Sequence, residues 1–166
     1  HFPDDDLVIV VSAMGKTTNA LEKVVWAWTE GRDVKEPMEA LRRAHLSVLA
    51  ELAPDGVAAA AELVLHFDKL NAVLKGKPSG NVDRDYDQVV SCGELWSTLI
   101  VSAHLQQAGL ANTWLDARTI VRTDATYRSA RVEWEACGNL TDRYLRPILT
   151  ACLLYTSDAA DDMQCV

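Results

Sequence analysis

The sequence predicts an α/β fold organised around a buried, mainly parallel sheet, and three observations predict it. Leu7-Val8-Ile9-Val10-Val11 is an uninterrupted, mostly β-branched apolar run, the pattern of a strand covered on both faces rather than of an alternating surface strand. That run ends in a small polar loop, Ser12–Gly15, and a helix opens near Thr17-Thr18. A further strand is read at Asn112-Thr113-Trp114-Leu115-Asp116, and residues 17–108 between the two are rich in helical patterns.

The first corner has chemical interest. In open α/β sheets, ligands sit beyond the carboxyl ends of such strands, where the loop feeds a helix. Free backbone N–H groups and the positive end of the helix dipole make that place receptive to carboxylate or phosphate. A strand–turn–helix corner with no ligand is the commoner outcome of the same pattern. Gly15-Lys16-Thr17 imitates the end of a phosphate-binding G-x-x-x-x-G-K-[ST] loop, but that pattern needs glycine at position 10, where Val10 stands. The P-loop is excluded.

The helices follow in order. Thr17 to about Glu30 carries Leu21, Val24, Val25 and Trp28 at helical spacing, with Thr17 or Thr18 suited to cap its start and Gly31 to end it. Trp26 and Trp28 fall on different faces and read as packing residues. Glu36–Leu52 predicts a second helix with Pro37 in its first turn and a buried stripe of Leu41, Ala44, Val48 and Leu52. His45 lies beside that stripe, without ligand-spaced partners, and reads as a partly buried helix histidine. After a turn at Pro54-Asp55-Gly56, a third helix spans about Val57–Lys75, with Leu63, Phe67, Leu70 and Leu74 on one face. His66 and Asp68 flank Phe67 but point apart on a helix, so no hydrolytic triad is read there. Gly76–Arg84, rich in Gly, Pro, Ser and Asn, predicts a surface loop within one domain.

Composition narrows the classes of function. A chain of 166 residues, 49% hydrophobic and 24% charged, suffices for one domain with a core. A net charge of −8 argues against nucleic acid and anionic membrane surfaces as partners. No apolar run approaches the roughly 20 residues that span a bilayer. The N-terminal His1-Phe2-Pro3-Asp4-Asp5-Asp6 lacks an initiator Met and reads as a linker entered partway through a longer protein. Cys152–Asp161, CLLYTSDAAD, resembles the in-frame translation of a sequencing-library adapter, so residues 152–166 are expected to be a non-native tail. Without that tail only Cys92 and Cys137 remain, with neither metal-ligand spacing nor a disulfide framework. A reducing cytoplasm suits such a chain.

The second informative stretch is Tyr86–Leu105. Ser91-Cys92-Gly93-Glu94 has the S-x-x-E spacing of a capping box ahead of a helix that is apolar over much of its circumference, and such a helix is expected to lie between layers. On that reading alone Glu94 caps Ser91.

Three stretches together resemble the aspartate kinases of the amino-acid kinase superfamily. Val10-Val11-Ser12-Ala13 followed by Thr17-Thr18-Asn19 matches V-V-S-A-x-x-x-T-T-N. Val90–Thr98 matches V-S-x-G-E-x-x-S-T, with Cys92 where the family has a polar or small residue. Asp116–Asp124 parallels D-x-R-x-x-x-R-T-D. The likeness covers Leu7–Leu149. It implies a three-layer α/β/α sandwich with a mainly parallel sheet, of which residues 1–151 would be the N-terminal, aspartate-binding part of the catalytic domain. It implies transfer of the γ-phosphoryl group of ATP to the β-carboxylate of L-aspartate, with Mg²⁺ bridging the phosphates, in a parent enzyme that assembles as a homo-oligomer. In that scheme Ser12 sits near the transferred group, Thr18 holds a substrate carboxylate and Glu94 receives the ammonium. Arg118 and Arg122 are possible anion contacts, with ion pairing to Asp116 and Asp124 as the preferred alternative. No protein-held metal site is implied.

The family's K-F-G-G-T-S, T-Q-G-F and G-R-x-G-S-D segments, which complete its nucleotide and aspartate sites, do not occur in the sequence. The expectation is therefore a polypeptide without kinase activity as it stands. Two rivals remain. Another amino-acid kinase, acting on glutamate or carbamate, would share the fold but lack the Val90–Thr98 signature. A non-catalytic helical interaction domain would be a helical bundle without a Leu7–Ser12 strand buried in a sheet.

Overall fold

Apolar side chains at helical spacing dominate residues 17–107, and helices form there. The structure, a computed structural model, describes residues 7–153. These fall into two units, Val11–Trp114 and residues 7–10 with 115–153, each described by itself. The linker reading of His1–Asp6 and the expected foreign tail from residue 154 onward lie outside the described residues.

In the larger unit, α1 runs Thr17–Thr29, α2 Lys35–Leu52, α3 Val57–Leu74, α4 Val82–Val90 and α5 Cys92–Gln107. Helix α1 buries Leu21, Val24, Val25 and Trp28 as its spacing requires. It is followed by Gly31 at φ +74°, a conformation that favours a residue without Cβ. Neither threonine caps it: Lys16 occupies the N-cap position and no side chain bonds the free N–H groups. Thr17 is instead buried inside the first turn.

Helix α2 begins and ends close to the expected positions but buries a different stripe. Met38, Leu41, His45 and Leu49 are buried, whereas Ala44 and Leu52 are exposed. Two apolar stripes lie side by side on this helix, and its partners choose between them. The rings of Phe67 and Trp96 pack edge-on against His45, at centroid distances of 5.7 and 5.1 Å. In α3, the expected face of Leu63, Phe67, Leu70 and Leu74 is the one buried.

The loop after α3 is shorter than its composition suggests, because Asn81 caps a fourth helix. Its side chain accepts the Arg84 N–H at 3.1 Å, and Asp83 and Asp85 stand in the first turn. Asn followed by carboxylates in the first turn is a legible helix start, overlooked beside the Gly and Pro preceding it. Asp85 is buried, and its carboxylate accepts the Ser79 N–H at 2.9 Å, pinning the loop.

Helix α5 packs against α1, α2, α3 and α4, which meets the expectation of a helix between layers. Its Trp96 stacks on Phe67 at 3.9 Å between centroids, and the two rings with His45 form the centre of the core. After α5, Asn112 and Trp114 are tied back to it. Ser102 donates to Asn112 Oδ1 at 2.6 Å, and the Trp114 indole donates to Thr98 at 3.0 Å. The expected strand at 112–116 does not form; side-chain bonds hold this segment instead.

Leu7–Val10 are likewise not a strand, and their side chains are 55–93% exposed rather than buried. An extended segment becomes a strand only when neighbours accept its backbone hydrogen bonds and cover its faces. Among the described residues the sole β-pairing is an isolated antiparallel bridge between Thr123 and Val132. The expected sheet is therefore not present among the described residues, whose regular structure is helical. Residues 115–153 hold a short 3₁₀ turn, Ala117–Thr119, followed by α6, Trp134–Tyr144, and α7, Arg146–Leu153, which pack on one another. No described helix is long and apolar enough to cross a membrane.

Candidate active site

The site is built by a loop and a helix start that are far apart in sequence. Ser12, Ala13 and Gly15 lie in the loop entering α1, and Gly93 and Glu94 lie in the first turn of α5. Gly93 is where they meet. A Cβ placed on it would stand 3.0 Å from Ala13 Cβ and 3.2 Å from Thr17 Cγ2. Glycine is the residue that lets this loop lie so close to α5. One turn further, the buried Ser97 hydroxyl donates to the Ser12 carbonyl at 2.6 Å, across 85 residues of sequence. Two of the three motif stretches thus touch, through residues whose roles are steric and hydrogen-bonding.

Ser12 itself is exposed, Thr18 is half-buried in the first turn of α1, and Glu94 is half-buried next to Gly93. The capping box does not form. Ser91 has helical angles, φ −61° and ψ −14°, because α4 runs almost directly into α5, and no side chain caps α5. Glu94 is consequently released from the structural duty that the S-x-x-E spacing suggests. Among the described residues its carboxylate has no hydrogen-bonding or ionic partner, while remaining partly exposed at a helix N-terminus. Such a carboxylate is available for a cationic group.

Arg118 and Arg122 lie in the other unit. Arg118 forms a bidentate pair with Asp116, its shorter contact being 2.6 Å, and the same carboxylate accepts the Arg118 backbone N–H. The preferred ion-pair account therefore holds for Arg118. Arg122 departs from it: its guanidinium donates to the Arg118 and Val121 carbonyls. Asp124 instead accepts the backbone N–H groups of Thr126, at 2.9 Å, and Arg131, at 3.2 Å. The Thr126 bond first, and the Arg131 bond second, hold the Asp124 carboxyl below its ordinary range.

Ser12, Thr18 and Glu94 are legible as candidates in the sequence; the residues that hold their segments together are not. Gly93 and Ser97 stand inside the quoted motif, yet nothing local says what they contact. His45, expected to be partly buried, is only 1% exposed and lies directly beneath Thr17. His66 pairs with Glu62 at 3.2 Å and Asp68 with Arg42 at 3.4 Å, so these two point apart as expected. Among the described residues, no group of three His, Cys, Asp or Glu could hold a metal ion.

Comparison with known proteins gives this geometry its relatives. Residues 3–160 match the profile of the amino acid kinase family. Over 127 residues the chain is 35% identical to bifunctional aspartokinase/homoserine dehydrogenase 2 of Escherichia coli, covering 74% of this chain and 15% of that protein. Over 116 residues it is 38% identical to the chloroplastic aspartokinase 2 of Arabidopsis thaliana, covering 65% of this chain and 20% of that protein. Its fold matches the crystal structure of E. coli aspartokinase III in complex with aspartate and ADP, with a TM-score of 0.73 and 25% identity. That match covers 86% of this chain and 31% of the other. The chain thus spans less than a third of the length of each of these relatives. With the family profile matched along nearly its whole length, and the loop and helix start that carry two of its motifs packed together, the chain belongs to the amino acid kinase family.

Proposed function

We propose that this chain is the aspartate-binding part of an aspartate kinase, whose complete form phosphorylates the β-carboxylate of L-aspartate with ATP. The observation that carries the reading is the junction at Gly93, where the Ser12–Thr18 segment and the Glu94 helix start are held together. A substrate with two carboxylates and one ammonium needs anion-accepting N–H and hydroxyl groups beside a carboxylate, and this junction supplies both kinds. Glu94 pairs with the α-ammonium. Thr18, in the first turn of α1, holds a carboxylate, and Ser12 lies next to the carboxylate that is phosphorylated. Catalysis of this kind rests on positioning and charge neutralisation rather than on covalent chemistry. Mg²⁺ would come with the nucleotide and neutralise charge on its phosphates. In the complete enzyme, which we take to be a cytoplasmic homo-oligomer, the Leu7–Val11 run joins a mainly parallel sheet between helical layers.

Arg118 and Arg122 are proposed as anion contacts only after their present partners are exchanged, which makes them secondary. The exposed Leu7–Val10 segment and the mainly helical structure of the described residues favour a second reading, a non-catalytic helical domain. The family match and the aspartokinase-like fold weigh against it.

The test uses both the 166-residue chain and the longer reading frame recovered by amplifying across the Leu149 junction in the source sample. The chain alone is expected to form no aspartyl phosphate, trapped as the hydroxamate, because the K-F-G-G-T-S and G-R-x-G-S-D segments are absent from it. The longer protein is expected to form it from L-aspartate. There, Glu94→Gln should raise the aspartate KM about tenfold to a hundredfold, the value of a lost charged hydrogen bond. A longer protein that ignores aspartate, or a Glu94→Gln enzyme with unchanged KM, overturns the proposal.

A further inference from the structure

His45 is a buried titratable group for which the proposed chemistry has no use, and it sits directly beneath the loop that carries Ser12. Its Nδ1–H donates to the Leu41 carbonyl at 2.8 Å, which leaves Nε2 as the acceptor facing the Thr17 hydroxyl at 3.4 Å. Phe67 and Trp96, both fully buried, close the ring off on the α3 and α5 sides. The remaining side opens on a groove of about 360 Å³ between Met14–Thr17 and the Leu41–Val48 stretch of α2. We propose that His45 is a positioning residue that latches the Ser12–Thr17 loop while its imidazole is neutral and releases it when protonated.

The Leu41 carbonyl serves Nδ1–H in either state, so the second proton would sit on Nε2, which faces the Thr17 hydroxyl at 3.4 Å and is bonded to no carboxylate or carbonyl that would stabilise the charge. The charged groups nearby do not compensate. The loop contributes Lys16, a like charge on the same groove. On α2, Arg42 pairs with Asp68 and Arg43 with Glu39, while on α3 His66 pairs with Glu62. On α5 the nearest carboxylate in sequence is Glu94, one residue beyond the glycine that touches Thr17, and no hydrogen bond or ion pair joins it to His45. Burial therefore lowers the His45 pKa below its ordinary 6.5, outweighing the upward pull of the Leu41 carbonyl.

The cheapest way to wet a charged His45 is to lift the element with the fewest ties. Phe67 and Trp96 are locked in the core. The loop has Gly15 at φ +56°, one turn-closing bond, Thr17 N–H to the Met14 carbonyl at 3.2 Å, and one side-chain tie from α5, Ser97 to the Ser12 carbonyl at 2.6 Å. Local opening of such a segment costs far less than opening a core helix. The sign follows from linkage. A folded pKa below the unfolded value contributes stability that is complete above pH 6.5 and is lost as the pH falls.

The functional consequence, that acid loosens the substrate loop, rests on the proposed aspartate kinase reading. The latch itself is read without substrate and stands or falls separately. The experiment is amide hydrogen exchange by NMR on the 166-residue chain between pH 7 and 5.5, expressed as protection relative to the intrinsic rate. Protection of the Thr17 and Ala20 amides is expected to fall about fivefold to tenfold on acidification, while α3 amides around Phe67 hold. His45→Gln, whose amide accepts from Thr17 but does not titrate, should remove the acid step. Thr17→Val, which removes the hydroxyl that faces Nε2, should lower protection at pH 7 by about fivefold and shrink the acid step. If His45→Gln fails to fold, the native acid step and Thr17→Val decide. Parallel loss in α1 and α3, or no acid step in the native chain, overturns the latch and leaves His45 an ordinary core residue.

Discussion

Residues 11–114 and residues 115–153 form helices with similar ease but bury them very differently. Helices α1 to α5 share one core, centred on Trp96, Phe67 and His45. Beyond Ala103 no described side chain is fully buried, and α6 leaves Trp134 79% exposed. The same contrast appears among aromatic residues: Trp28 is buried and donates to the Gly76 carbonyl at 3.1 Å, whereas Trp134 has no comparable setting. Helix formation is therefore a local property here, while burial depends on whether a complementary face is at hand.

The sharpest way to break this contrast is to exchange a tryptophan for alanine in each unit. Trp96→Ala removes the ring between Phe67 and His45 and should cost about 3–5 kcal/mol in urea denaturation of the chain. Trp134→Ala should change stability by no more than about 0.5 kcal/mol. Equal effects would mean that the two regions share their stability.

Gly93→Ala tests the junction within the larger unit. The added methyl meets Ala13 and Thr17 at 3.0 and 3.2 Å, and overpacking of this kind should cost about 1–3 kcal/mol. The same substitution at Gly138, where a Cβ has nothing within 4 Å, should not destabilise; in a helix interior it should stabilise by up to about 1 kcal/mol. A neutral Gly93→Ala would remove the close approach as the reason for glycine there.

Ser97→Ala should follow, at about 0.5–1.5 kcal/mol, because the Ser12 carbonyl, on an exposed residue, loses the donor that reaches it from α5 but stays open to water. The smallest effect is expected at Arg118→Ala. Its pair with Asp116 is largely solvent-exposed on the arginine side, so thermal unfolding should register no more than about 1 kcal/mol. A larger loss would show that this arginine carries structure in its unit and would weaken its candidacy as an anion contact.

How far the sequence could be read depends on the range of the interactions concerned. Helices α1, α2 and α3 are legible to within a residue at their ends, though not in how α1 is capped, because a 3.6-residue apolar period is written within each segment. Helix α4 was legible in principle, through Asn81 and the carboxylates after it, but the glycines and proline before it suggested a longer loop. The stripe on α2 was not legible, since two adjacent faces were both apolar enough and the rings of Phe67 and Trp96 decided between them. Leu7–Val11 shows the opposite limit. Its residues favour extended structure, but a strand requires a neighbour, and the described residues supply none.

At the site, the sequence by itself determined the chemistry on offer, a polar loop before a helix and a carboxylate at a second helix start; in the other unit it set two arginines among acidic residues. Only the tertiary structure decided how these groups are deployed. It packed Ala13 against Gly93, joined Ser97 to the Ser12 carbonyl, denied Glu94 its capping role and tied Arg118 to Asp116. Residue types and spacings fix which groups are near in sequence. Which of them meet across a fold depends on packing between helices, where one missing Cβ or one buried hydroxyl sets the distance.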